Sequence, residues 1–143
     1  MPNFCKSKTQ ARAFNNENEI TNNSTTDSIK VTKLGTGTVP TPANLTGAQL
    51  LSRAFEGRLV VVKNVTIVTV GNPSGSGTYS VTGTAPDGST IAIFMSAPTG
   101  NVPPPATTFT VGQVYNITAI AVPFGTPAAD ELKPRGASDV VKQ

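Results

Sequence analysis

Thirteen residues near the middle of the chain, RLVVVKNVTIVTV at positions 58–70, constrain its fold more than any other stretch. Nine of them branch at Cβ. Such side chains lose rotamer freedom in a helix and pack well on a pleated surface, so the segment reads as a strand. Its apolar residues fall on both faces, which describes a central, strongly bent strand. A strand of this kind needs a sheet that wraps around it.

The following segments supply one. TYSVTGT (78–84) alternates, with Tyr79, Val81 and Gly83 on one face and Thr78, Ser80, Thr82 and Thr84 on the other. Asp87-Gly88 is a strong hairpin signal. TIAIFM (90–95) then sends Ile91, Ile93 and Met95 inward, Ala92 and Phe94 outward. A proline-rich connection, SAPTGNVPPPATT, leads to FTVGQVYNITAIAVPF (109–124), which places Tyr115, Ile117 and Ala119 on one face. ELKPRGASDVV (131–141) closes with a short strand. The expected core is Val61, Val65, Ile67, Val81, Ile91, Ile93, Tyr115 and Ile117. One helix is expected, in LTGAQLLSRAFEG (45–57), capped by Thr46 and stopped by Gly57.

The expected fold is all-β: a five-stranded OB-like Greek-key barrel with one short helix and an extended N-terminal arm. An immunoglobulin-like sandwich is the competing architecture, and it needs about seven strands. Residues 1–27 form the arm, polar and without helical or strand periodicity. Residues 28–42 hold an edge strand, IKVTKL, guarded by lysines, and a linker broken by Pro40 and Pro42. Residues 43–143 form the barrel.

The sequence has no histidine and a single cysteine, Cys5. That removes Ser/His/Asp and Cys/His arrangements, the commonest metal ligand and any internal disulfide. Catalysis is not expected, nor any cofactor or metal. Only 13% of residues are charged, and the net charge of +3 is too small to demand a polyanionic partner. No apolar run reaches the length of a membrane span, and the first residues lack the apolar core of a signal peptide. Asn-X-Ser/Thr triplets include those at Asn64 and Asn116, both inside expected strands and so poor glycan acceptors.

Three stretches carry a family resemblance. AFEGRLVVVKNVTI, FTVGQVYNITAIAVPF and ELKPRGASDVV, in this order, resemble OB-fold modules of bacterial secreted nucleases and of other exported or surface multidomain proteins. Glu56, Gly57, Leu59 and Val60 match the first element; Gly112, Val114 and Thr118 match the second. Leu132, Pro134, Arg135, Ser138 and Asp139 match the third. The resemblance spans roughly residues 43–141. Ala119 stands where a glycine is usual, and the proline-rich connection is unusual. The resemblance implies an extracellular or cell-surface setting, and it brings no catalytic residues to this sequence.

The expected function is a non-catalytic interaction or structural module that binds a protein or assembles with itself. The candidate assembly arm carries Phe4, Phe14 and Ile20 as apolar anchors. The alternative is an oligonucleotide- or oligosaccharide-binding OB domain, whose candidate ligand face is Thr82, Phe94, Lys63 and Arg58. With one aromatic on that face, single-stranded nucleic acid or sugar is expected to bind weakly. The charges crowded into residues 130–139 read as a closure turn, with Leu132 anchored and Arg135 paired to Asp139 or Glu56.

Overall fold

The computed structural model describes residues 9–14, 17–22, 34–96, 108–125 and 129–143. The chain divides into two compact units, Met1–Val39 and Pro40–Gln143.

In the first unit, β1 (Thr9–Phe14) and β2 (Glu17–Asn22) pair antiparallel, with Phe14 opposite Glu17 and Ala11 opposite Ile20. The sequence showed no strand period here, so this hairpin replaces the featureless extended arm. Asn15-Asn16 was the available signal, because asparagine tolerates the left-handed backbone that tight hairpins use. Phe4, Cys5 and residues 29–33 of the expected edge strand lie outside the described residues. Leu34, its last residue, is not in a strand and is 95% exposed.

The second unit opens with β3 (Ala43–Leu45), a short strand parallel to β4 (Leu59–Val70) that the sequence reading missed. Between them lies α1 (Gly47–Leu51). Thr46 and Gln49 form a reciprocal capping box at its start. The helix is shorter than expected because Arg53 takes a left-handed backbone, φ 62°, well before Gly57. Ser52 Oγ donates to the Gln49 carbonyl at 2.7 Å, which tightens this end.

β5 (Tyr79–Thr84), β6 (Thr90–Met95), β7 (Val114–Phe124) and β8 (Ala129–Lys133) complete the barrel. The strand order is β4-β5-β6-β8-β7, and β7 returns to β4 to close a five-stranded ring. All neighbours are antiparallel except β6 and β8. This is the OB-like order. β9 (Val140–Lys142) joins the same flank of β7 as β8, after the excursion 134–139.

β4 makes the closure by changing partner along its length. Leu59–Thr66 pairs with β7 and Thr66–Val70 with β5. Register slips between Val62 and Val65, and again between Ile67 and Thr69, bend it. The first slip corrects the core assignment. Val60 and Val62 are buried, then Val65 and Ile67, so the inward set changes phase at Lys63-Asn64. Val61 is only half-buried, since unbroken alternation does not hold across a bulge. The other seven expected core residues are buried. Leu50 of α1, Phe109 and Leu132 join them. No helix among the described residues is long and apolar enough to cross a membrane.

Candidate functional site

The outer face of β5 and β6 is laid out as alternation demands. Ser80 lies opposite Phe94, Thr82 opposite Ala92 and Thr84 opposite Thr90. Its chemistry is mostly self-contained. The Thr82 and Thr69 hydroxyls share a hydrogen bond of 2.6 Å. The one aromatic, Phe94, has the Lys133 ammonium over its ring, 5.7 Å from the centroid. A base stacking on that ring face has to displace Lys133, at a cost of about 0.5–1 kcal/mol of cation–π attraction.

Of the two other residues of the expected ligand face, Arg58 directly precedes β4 and Lys63 lies in the β4 bulge between its pairings with β7, so neither is in the β5–β6 pair. Arg58 lies over the Phe55 ring at 5.2 Å, and the exposed Lys63 sits at the bulge. Thr82 and Phe94 thus share a face; neither Arg58 nor Lys63 belongs to it. Of the arm anchors, Phe14 and Ile20 lie in the hairpin, at ladder positions opposite Glu17 and Ala11.

The closure turn is tightly held. Arg135 Nε donates to Asp139 Oδ2 at 2.8 Å and its Nη2 donates to Oδ1 at 2.7 Å. The Arg135 backbone N–H also donates to Oδ2, at 2.9 Å. Asp139 is buried, and the arginine hydrogen bond holds its carboxyl below the usual carboxylate range against the opposing effect of burial. Glu56 pairs elsewhere, with Arg53 at 3.1 Å. Asp87, in the β5–β6 turn, serves the backbone: it accepts from Ala48 N–H at 2.9 Å and from Ser89 N–H at 3.0 Å. These bonds, to Ala48 first, keep its carboxyl low.

The less expected feature is the seam between β6 and β8. These parallel strands share one register pair, Ile93 with Leu132. Toward their starts the ladder is not continued. Thr90, Ile91 and Ala92 on one side and Ala129, Asp130 and Glu131 on the other line an open groove of about 190 Å³, together with Leu51, Thr82 and Phe124. Its walls are mainly carbon, and Phe124 is 48% exposed.

Asp130 lies in this groove with no side-chain surface open to solvent. Neither of its carboxylate oxygens has a hydrogen-bond partner. The nearest cation, Arg53 Nε, stands 3.9 Å from Oδ1, while the same guanidinium donates to Glu56 at 3.1 Å. Burial, and next the charge of Glu56, push the Asp130 carboxyl up, with Arg53 pulling it partly back. A buried acid without a hydrogen bond is costly, and such groups cluster where proteins bind or react. Sequence reasoning counted Asp130 among the closing charges and had no means to see that the seam opens beside it. Among the described residues, no three His, Cys, Asp or Glu side chains gather as a metal site.

Comparisons of the chain with protein-family models, with curated proteins and with solved structures each found no match.

Proposed function

We propose that the chain is a non-catalytic interaction module of an exported or surface-exposed bacterial protein, which acts through protein contacts and associates with itself through its N-terminal hairpin. The observation that carries this reading is the β1–β2 ladder, a two-stranded sheet among the described residues. A two-stranded hairpin is marginal in water and gains stability from a third strand. Strand addition to its edges from a second copy supplies that strand, and head-to-tail addition of this kind builds filaments when it does not close. The setting outside the cell rests on the resemblance to exported OB-fold modules. The β5–β6 face, polar and with its one aromatic under Lys133, favours this over nucleic-acid or sugar binding.

Sedimentation velocity of the full chain and of a chain lacking residues 1–27 tests the reading. The full chain is expected to sediment as larger species with rising concentration, and the shortened chain to remain a folded monomer. A full chain that stays monomeric at millimolar concentration removes the self-association reading.

A further inference from the structure

We propose that Arg53 is a pH-sensitive latch between the turn after α1 and strand β8: it stays with Glu56 while Asp130 is protonated, and its Nε closes onto Asp130 when that carboxyl ionises. The latch works within a single copy of the chain and does not depend on self-association.

Asp130 occupies an interior position. It precedes the fully buried Leu132 by two residues, so the two side chains share the inward face of β8. Pro123, opposite it on β7, is buried as well. α1 packs against β8 at this end of the barrel, with Leu50 in the core. A carboxylate here, with no hydrogen bond to either oxygen, is the form its surroundings disfavour. Protonation removes the charge, and a cation brought into contact offsets it.

Arg53 is the cation in position to do so. Its Nη2 donates to Glu56 Oε2 at 3.1 Å, while its Nε stands 3.9 Å from Asp130 Oδ1. That gap is too narrow for an intervening water, and closing it by about 1 Å makes a charge-assisted hydrogen bond. Nε and Nη2 are donors on one rigid planar fork, so the two carboxylates compete for its orientation. The backbone at Arg53 is left-handed, φ 62°, a conformation that costs a substituted residue energy and that recurs in switching segments.

The charges around Asp130 leave the contest to these groups. Burial disfavours its ionised form most, Glu56 adds to that, and Arg53 opposes it. Thr90, Ile91 and Ala92 of β6 bring no charge across the groove. Glu131 and Lys133 alternate to the opposite face of β8 and have interactions of their own. Arg58, the other base near the turn, lies over the Phe55 ring at 5.2 Å.

The test is an NMR pH titration of the full chain that follows the Asp130 carboxyl carbon, the Arg53 Nε–H signal and the amides of Leu51 and Ala54. In the wild-type chain all are expected to step at one shared midpoint. Arg53→Gln is expected to raise the Asp130 midpoint by about half a pH unit or more, and Glu56→Gln to lower it by a similar amount. In Arg53→Gln the Asp130 carboxyl still titrates, but the step in the Leu51 and Ala54 amides is expected to disappear, which separates a moving latch from the plain field of a charge. Asp130→Asn is expected to remove that step from the Arg53 signal. Melting curves and amide dispersion establish that the variants fold. An Arg53 signal without a step at the Asp130 midpoint, a midpoint that neither variant moves, or turn amides that step in Arg53→Gln as in wild type overturns the proposal.

Discussion

The backbone N–H of Asn64 donates to Oδ1 of Asn116 at 3.0 Å, across the β4–β7 ladder and at the bulge where β4 changes phase. Asn64 has a left-handed backbone, φ 56°, one of two such non-glycine residues among those described. The side chain of one strand thereby satisfies a donor that the bulge takes out of the ladder. Asn64→Gly is expected to be nearly neutral, because glycine adopts this backbone freely. Asn64→Val is expected to cost about 1–2 kcal/mol, the penalty of a left-handed backbone for a substituted Cβ. Asn116→Ala is expected to cost about 0.5–1.5 kcal/mol by loss of the acceptor. Urea midpoints of the three variants check the order; an Asn64→Val as stable as Asn64→Gly contradicts it.

The closure turn makes stability depend on acid. Asp139 is held low in the folded chain, and an unfolded aspartate titrates near about 3.9. Its contribution is therefore full above that value and is lost as pH falls through the lower folded one. Asp139→Ala is expected to destabilise by about 1.5–3 kcal/mol at neutral pH. The difference from wild type is expected to shrink in strong acid. A gap that stays constant with pH means that the carboxylate is not the source.

Asp130 acts in the opposite direction. Its folded carboxyl is pushed up, so its contribution is present at low pH and is lost as pH rises through the raised value. Going down from neutral pH, wild-type melting temperature is expected to rise before Asp139 protonation reverses the trend. Asp130→Asn is expected to be more stable than wild type at pH 7, by about 1 kcal/mol, and to lack the initial rise. Equal pH profiles for the two chains refute this.

Packing inside the barrel leaves no room for a side chain at Gly83. A Cβ on Gly83 meets Val65 Cγ1 at 2.5 Å and the Thr66 carbonyl oxygen at 3.2 Å. Gly83→Ala is expected to cost about 1–3 kcal/mol by overpacking. Ile117, fully buried, is expected to cost about 2–5 kcal/mol as Ile117→Ala by leaving a cavity. Denaturant melts measure both, and an unchanged midpoint in either places that residue outside the packed interior.

Binding of a labelled oligothymidine at physiological salt is expected to be weaker than micromolar and to vanish at higher salt. The single aromatic beneath Lys133 provides one stacking contact at most, about 1–3 kcal/mol per base. Submicromolar affinity lost in Phe94→Ala restores the nucleic-acid reading.

Much of the barrel was legible because inward positions are strictly alternate in β5, β6 and most of β7. There, Tyr79, Val81, Ile91, Ile93, Tyr115 and Ile117 all follow the sequence pattern into the core. The pattern failed in β4 because a bulge adds a residue without leaving a hydrophobic signature; Asn64 was the only hint. β3, three residues long, carries too little periodicity to register. The Arg135–Asp139 pair was legible only as one of two pairings, the other being with Glu56, which in the fold pairs with Arg53 instead. The groove was not, since it arises from two parallel strands that meet at a single pair, and such a seam is a property of tertiary closure with no local code.

That seam also sets when the barrel comes into being. β4, β5 and β6 are consecutive antiparallel neighbours, but the sheet stays open until residues 129–142 lie along β7 and touch β6. During synthesis the ribosome therefore holds a curved, incomplete sheet with Ile93 and its neighbours uncovered until the last segment emerges. The folding step that seals it spans most of the barrel's sequence, which makes it slow. A nascent chain of this protein is most exposed to misassociation in that interval, and the final strands act as its stopper.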